Sequence, residues 1–148
     1  MNEIKTILVP IDFSDNSEKI LQGAIYMAGK LGAKLQVIFV AEDLSTYSRL
    51  AIPHTSLKQF QDEILTGAEN KITVFLEENI GDKADYMGRV LTGDISEQII
   101  DFAENEKIDM IIMGSHGYKG LEKVVFGSVA EHVVKNSPCP VLVINPYK

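Results

Sequence analysis

The sequence is short of cysteine, of positive charge and of long apolar runs. Its one cysteine, Cys139, can form neither an internal disulfide nor a cysteine metal cluster. Between Pro138 and Pro140 it reads as a small buried apolar residue beside turn-forming prolines. Lys and Arg number 14 against 21 Asp and Glu, a net charge of -7. A surface of that sign is ill suited to wrapping a nucleic-acid backbone, which needs a basic face. It leaves open the binding of a single nucleotide, because backbone N–H groups attract phosphate locally. The opening segment carries only Ile7-Leu-Val9 before Pro10, too short for a secretory apolar region or a membrane span. A cytoplasmic protein with no nucleic-acid or membrane partner is the expectation. No repeat or low-complexity segment is visible.

What is present fits one domain: 148 residues, 45% of them hydrophobic. A brief strand over Ile7–Val9 stops at Pro10. Ser14 or Asp15 then caps a helix, with Glu18 as capping-box partner, and the apolar face Ile20, Leu21, Ala24, Met27, Ala28 and Leu31 ends at Gly32. Leu35 to Val40 reads as a strand. Glu42 to Pro53 has no period and reads as a long mobile loop, of a length that is often functional. Thr55 to Asn79 has helical spacing through Leu57, Phe60, Ile64, Ala68, Ile72, Phe75 and Leu76. Ala84 to Leu91, broken by Asp85 and Arg89, reads as an edge strand. Asp94 with Glu97 starts a helix that buries Ile95, Ile99, Phe102 and Ala103. Ile108 to Met113 is a strand, Ser128 to Asn136 a helix burying Val129, Val133 and Val134, and Val141 to Ile144 the last strand. Strands alternating with helices, several of them continuous apolar runs, imply an α/β doubly wound parallel sheet of five strands with helices on both faces. In such folds ligands sit beyond the carboxyl ends of strands. Asp12, Val40 and Gly114 lie at such ends.

The chemistry concentrates in Gly114-Ser-His-Gly117-Tyr-Lys-Gly120 and in Gly127-Ser128. Glycine permits positive φ and close approach to the main chain. A helix opening at Ser128 leaves backbone N–H groups unpaired at the positive end of its dipole, a ready anion site. The arrangement lacks the Gly-Lys-Ser/Thr of a P-loop and the Gly-x-Gly-x-x-Gly of dinucleotide folds, and it follows the fourth strand.

The spacing Gly114-x2-Gly117-x9-Gly127-Ser128, with Val9-Pro-Ile-Asp12-Phe-Ser and Pro140-Val-Leu-Val-Ile, resembles the universal stress protein family in its ATP-binding subgroup. The resemblance spans essentially the whole chain. It implies the strand order 3-2-1-4-5, bound ATP with Mg²⁺, and a stress or regulatory role. By this resemblance Asp12 contacts the ribose, and Pro10 and Val40 lie beside the adenine. Ser115, His116 and Gly117 line a phosphate loop that includes Tyr118, Lys119 and Gly120, while Gly127, Ser128, Val129 and Ala130 form the helix start. The last strand becomes an apolar edge, and a homodimer pairing Val141 to Ile144 would cover it.

Several of these residues have a second reading. Asp12 is equally a turn or cap carboxylate beside Ser14. Ser128-x-x-Glu131 is a capping box that needs no ligand. Lys119 either screens phosphate or is a solvated loop lysine. His116 has no nucleophile partner or metal-ligand spacing nearby, so positioning of the loop is a better expectation for it than catalysis. Mg²⁺ takes few protein ligands and leaves little sequence signal. Two functions stand beside nucleotide-dependent regulation: a slow ATPase or phosphoryl- or adenylyl-transferase, and a dimeric module that binds partners without nucleotide. No arginine lies near the motif to stabilise a transferring phosphate.

Overall fold

The computed structural model describes residues 2–47, 49–50, 52–116 and 126–148. The elements run β1 (Thr6–Ile11), α1 (Asp15–Leu31), β2 (Lys34–Ala41), a 3₁₀ turn (Leu44–Tyr47), α2 (His54–Asn79), β3 (Tyr86–Thr92), α3 (Ile95–Asn105), β4 (Met110–Gly114), α4 (Ser128–Asn136) and β5 (Val141–Ile144). The five strands form one parallel sheet in the order β3-β2-β1-β4-β5. The doubly wound architecture and strand order match the expectation.

Alternation along the strands builds two cores. Ile7, Val9 and Ile11 of β1 join Leu35, Val37 and Ile112 beneath α1 and α2. Leu8, Ile38, Val40, Ile111 and Met113 face the other way, onto α3 and α4 through Ile99, Phe102, Ala130 and Val133. Both faces of the central strands are therefore dry, which is why they read as unbroken apolar runs. At the edge, β3 leaves Met87, Gly88 and Arg89 exposed.

The strand β1 does not stop at Pro10. It continues to Ile11 in register with Phe39, while its pairing with β4 covers only Ile7 and Leu8. The proline thus sits where no ladder bond to β4 is lost. The expected β4 start moves as well: the Ile108 N–H bonds the Ala103 carbonyl and closes the exit of α3 instead. The stretch after β2 is not without regular structure, since it holds the 3₁₀ turn, pinned by Gln61 to the Leu44 N–H and the Glu42 carbonyl.

Three apolar stripes are narrower than the sequence spacing predicts. Leu31 is exposed at the end of α1, and Val134, a third of a turn from buried Val133, is exposed on α4, where Ala130 is buried instead. In α2 only Ala68, Ile72 and Leu76 are buried, and Phe60 is 56% exposed. The 26 residues of α2 span about 39 Å at 1.5 Å each, against about 23 Å for the seven of β3. The first half of the helix therefore outruns the sheet.

Candidate functional site

The sheet winding reverses between β1 and β4, and the carboxyl ends of β1, β2 and β3 open onto a cavity of about 750 Å³. Its wall includes Asp12 and Val40, with Phe13, Ser14, Phe39, Glu42, Asp43, Lys71, Gly93, Asp94 and Ile95. A cavity of this size suits a small molecule.

Asp12 is held in one orientation. Its Oδ1 accepts from the Ser14 N–H at 2.9 Å, the Ser14 hydroxyl at 2.5 Å and the Ser17 hydroxyl at 2.8 Å. The Ser17 hydroxyl in turn accepts from the Asp12 N–H at 3.1 Å. Among the described residues these bonds all fall on one oxygen, and none is made to Oδ2. The expected Asp15–Glu18 capping box of α1 is absent, because the helix caps one residue earlier and Asp15 is its first helical residue. Ser14 is the N-cap residue, but its hydroxyl is turned to Asp12 and makes no cap bond. The next residue, Phe13, takes φ 62°, and its ring packs against Phe39 at 4.7 Å and Phe75 at 5.6 Å. The Lys71 ammonium stands 4.7 Å over that ring.

A second group of site candidates gathers at the end of β4. The Gly127 N–H donates to the Ser115 carbonyl at 2.7 Å, and the Ser115 N–H donates to the Ile144 carbonyl at 2.9 Å. A Cβ on Gly127 would lie 2.9 Å from the Ser115 oxygen, and one on Gly114 would lie 2.9 Å from the His116 oxygen. Both glycines are thus required by the loop's own closure.

The N-cap of α4 is Gly127, not Ser128, so no Ser128–Glu131 capping box forms. Ser128 is the first helical residue, and Glu131 reaches forward to Lys135 at 2.7 Å. Lys135 holds the Glu131 carboxyl below its usual range by hydrogen bonding and charge. Among the described residues no side chain accepts from the N–H groups of Ser128, Val129 or Ala130. Ser128 is exposed, Val129 half-buried and Ala130 buried.

His116 is buried, only 6% exposed. Its Nδ1 pairs with the Ser115 hydroxyl at 2.7 Å, its ring meets Tyr147 edge-on at 5.3 Å, and among the described residues its Nε2 has no hydrogen-bond partner. Pro10 lies buried inside β1. Gly117, Tyr118, Lys119 and Gly120 lie outside the described residues. Among the described residues the cavity wall gathers Asp12 and Val40 but none of Gly114, Ser115, Gly127 or Ser128.

Sequence reasoning passed over most of the wall. Gly93 and Asp94 were legible only as a helix start. Phe13 carried a signal in its place directly after Asp12. Lys71 carried none, since it is one exposed position on a long helix.

A model of the universal stress protein family matches residues 3–145. The chain belongs to the universal stress protein family. Universal stress protein MJ0531 of Methanocaldococcus jannaschii is 36% identical over 151 residues, covering 99% of this chain and 85% of the relative. The universal stress protein UspA of Lactobacillus plantarum superposes with a TM-score of 0.81 at 26% identity, covering 98% of this chain and 100% of the other. A universal stress protein in complex with cAMP shares the fold at a TM-score of 0.70 and 22% identity, covering 98% of this chain and 99% of the other.

Proposed function

We propose that this universal stress protein is a single nucleotide-binding domain that holds ATP across the carboxyl ends of its strands and uses it as a regulatory signal. The observation that carries the reading is Asp12, a carboxylate fixed through one oxygen by Ser14 and Ser17 at the wall of a ligand-sized cavity. Oδ2 would accept from a ribose hydroxyl, with Pro10 and Val40 beside the base. The first turn of α4, free of side-chain caps among the described residues, would take phosphate on the N–H groups of Ser128, Val129 and Ala130. Gly114, Ser115 and Gly127 shape that end, and the phosphate loop is assigned to run on through Gly117, Tyr118, Lys119 and Gly120. His116 belongs to this reading as the residue that seats the loop.

The base and ribose end is rich in carboxylates: Asp12, Glu42, Asp43 and Asp94 face one lysine, Lys71, in the described wall. Such a lining disfavours phosphate there and sets the ligand's polarity, base toward β2 and phosphates toward α4. The cAMP-bound relative supports an adenine nucleotide, and the complete Gly-x2-Gly-x9-Gly-Ser spacing supports ATP. Among the described residues there is no group of three metal-ligating side chains. Mg²⁺ would therefore be carried mainly by the phosphates and water. The half-exposed edge strand β5 (Val141–Ile144) supports a homodimer paired along that edge. The chain has no helix long and apolar enough to cross a membrane among its described residues, and a cytoplasmic location goes with the reading.

Calorimetric titration with Mg·ATP tests it, together with chromatography and mass analysis of any nucleotide released on denaturing the purified protein. Binding should be saturable and at least about tenfold weaker in Asp12→Ala, the effect of losing one charge-assisted hydrogen bond. No binding at millimolar ATP would sink the assignment.

A further inference from the structure

Residues 145–148, after β5, fold back over the two elements that carry the proposed site. The Lys19 ammonium donates to the Pro146 carbonyl at 3.0 Å, and the Asn16 amide donates to the Tyr147 hydroxyl at 3.3 Å. Both donors lie in the first turns of α1, the turns that also hold Asp12 through Ser14 and Ser17. The Tyr147 ring meets the His116 imidazole edge-on at 5.3 Å, and Pro146 is buried. Immediately upstream, the Ile144 carbonyl accepts from the Ser115 N–H. The segment is shaped for this path: the Asn145 side chain accepts from the Tyr147 N–H at 3.0 Å and turns the chain.

We infer that residues 145–148 are a strap that fixes the α1 start against the glycine loop and thereby sets nucleotide affinity, with Tyr147 as a positioning residue acting through His116. The inference rests on the nucleotide reading above. Asp12 moves with α1, while Ser115 and Gly127 move with the loop, so the strap ties the ribose half of the site to the phosphate half. A ligand that spans both halves binds best when their separation is preset. Among the described residues the buried His116 Nε2 has no hydrogen-bond partner, which raises the free energy of the closed arrangement.

Coupling of this kind is reciprocal. Weakening the strap should weaken ATP, and ATP should tighten the strap. The experiment titrates Mg·ATP into wild type, Tyr147→Ala, Tyr147→Phe and Asn16→Ala, and follows hydrogen exchange at the Ser115 amide with and without ATP. Tyr147→Ala should lose about two- to tenfold in affinity, the range for one net hydrogen bond, with its thermal midpoint little changed. Tyr147→Phe and Asn16→Ala remove the same bond, so each should cost no more than Tyr147→Ala, and a Tyr147→Phe/Asn16→Ala double variant no more than either alone. In wild type, ATP should slow exchange at Ser115, a readout that needs no variant to fold. Wild type that binds ATP while all three variants titrate like it, with Ser115 exchange unmoved, overturns the strap and leaves the nucleotide site standing. Wild type that binds no ATP overturns both.

Discussion

The Gly127 N–H and the Ser115 carbonyl, 2.7 Å apart, close the glycine loop onto the start of α4 so tightly that a Cβ on Gly127 would lie 2.9 Å from the same oxygen. Gly127→Ala must therefore displace backbone, not a flexible side-chain end. Overpacking of this kind costs about 1–3 kcal/mol, and the urea midpoint should fall accordingly. ATP affinity should fall in the same variant. Loss of binding there cannot separate a phosphate contact from a distorted loop. Ser128→Ala isolates the hydroxyl alone, because it keeps the backbone N–H groups assigned to phosphate and exposed Ser128 has no capping bond to lose; a loss of ATP affinity there would add a hydroxyl contact to the backbone ones. The substitution should leave the urea midpoint within about 0.5 kcal/mol.

Asp109 pins the start of β1. Its Oδ2 accepts from the Lys5 N–H, the Thr6 N–H and the Thr6 hydroxyl, each at 2.9 Å. The Lys5 backbone bond is the largest cause holding this carboxyl below its usual range, with the Thr6 bonds adding to it and burial opposing. A depressed folded value means the stabilisation is complete above the unfolded carboxylate value of about 3.9 and fades as pH falls through the folded value. Solvent around the half-buried group keeps the contribution to about 1 kcal/mol. Asp109→Asn should lower stability at pH 7 and flatten its decline below about pH 4. Denaturation midpoints from pH 7 to pH 3 check both halves. An unchanged acid limb would show that other carboxylates set it.

The sheet was readable because both faces of its central strands are buried, so apolar runs mark where they lie, although the ends of β1 and β4 shift by a residue or two. Asp94 was equally plain, since its carboxylate takes the Glu97 N–H as the spacing requires. Ser128 and Ser14 looked the same in sequence, yet neither hydroxyl caps its helix. The Ser14 hydroxyl is turned to donate to Asp12, away from the helix N–H groups it would accept from, and at α4 the chain turns one residue earlier, at Gly127. Sequence alone does not say which partner a serine finds when two compete. Lys71 and Tyr147 were invisible for another reason. Their roles come from packing between elements far apart in the chain, and no local pattern records such a meeting. The glycines were legible as a motif but not in their physical cause, because the atom each would strike lies across the loop.

Cys139 is half-buried at the entry to β5, its amide N–H donating to the Ser137 hydroxyl at 3.2 Å. Burial is the main cause raising the thiol above its usual range; the Ser137 hydroxyl opposes this and the Asp109 charge adds to it. Only the thiolate reacts with maleimides and disulfides. At pH 8 the folded protein should therefore react with a disulfide reagent more than about tenfold slower than in denaturant. Equal rates in both states would mean that the segment around Pro138 and Pro140 opens freely. Asp109→Asn removes the neighbouring charge, so it should raise the folded-state rate.

Ser14 and Asp94 stand at equivalent helix starts on the same cavity wall and should respond oppositely to truncation. The Asp94 carboxylate accepts from the Glu97 N–H at 3.0 Å and the Ser96 hydroxyl at 3.1 Å. It is a working cap, and Asp94→Ala should cost about 1 kcal/mol of stability. Ser14 makes no such bond, so Ser14→Ala should cost less than half of that in the urea midpoint. What Ser14 does hold is Asp12. Without its hydroxyl the carboxylate keeps the residue 14 N–H and the Ser17 hydroxyl but gains freedom to rotate. ATP affinity should then drop about two- to tenfold, one hydrogen bond's worth. A Ser14→Ala variant as destabilised as Asp94→Ala, and with unchanged ATP affinity, would make Ser14 an ordinary cap. Its tie to Asp12 would then be incidental to ligand binding.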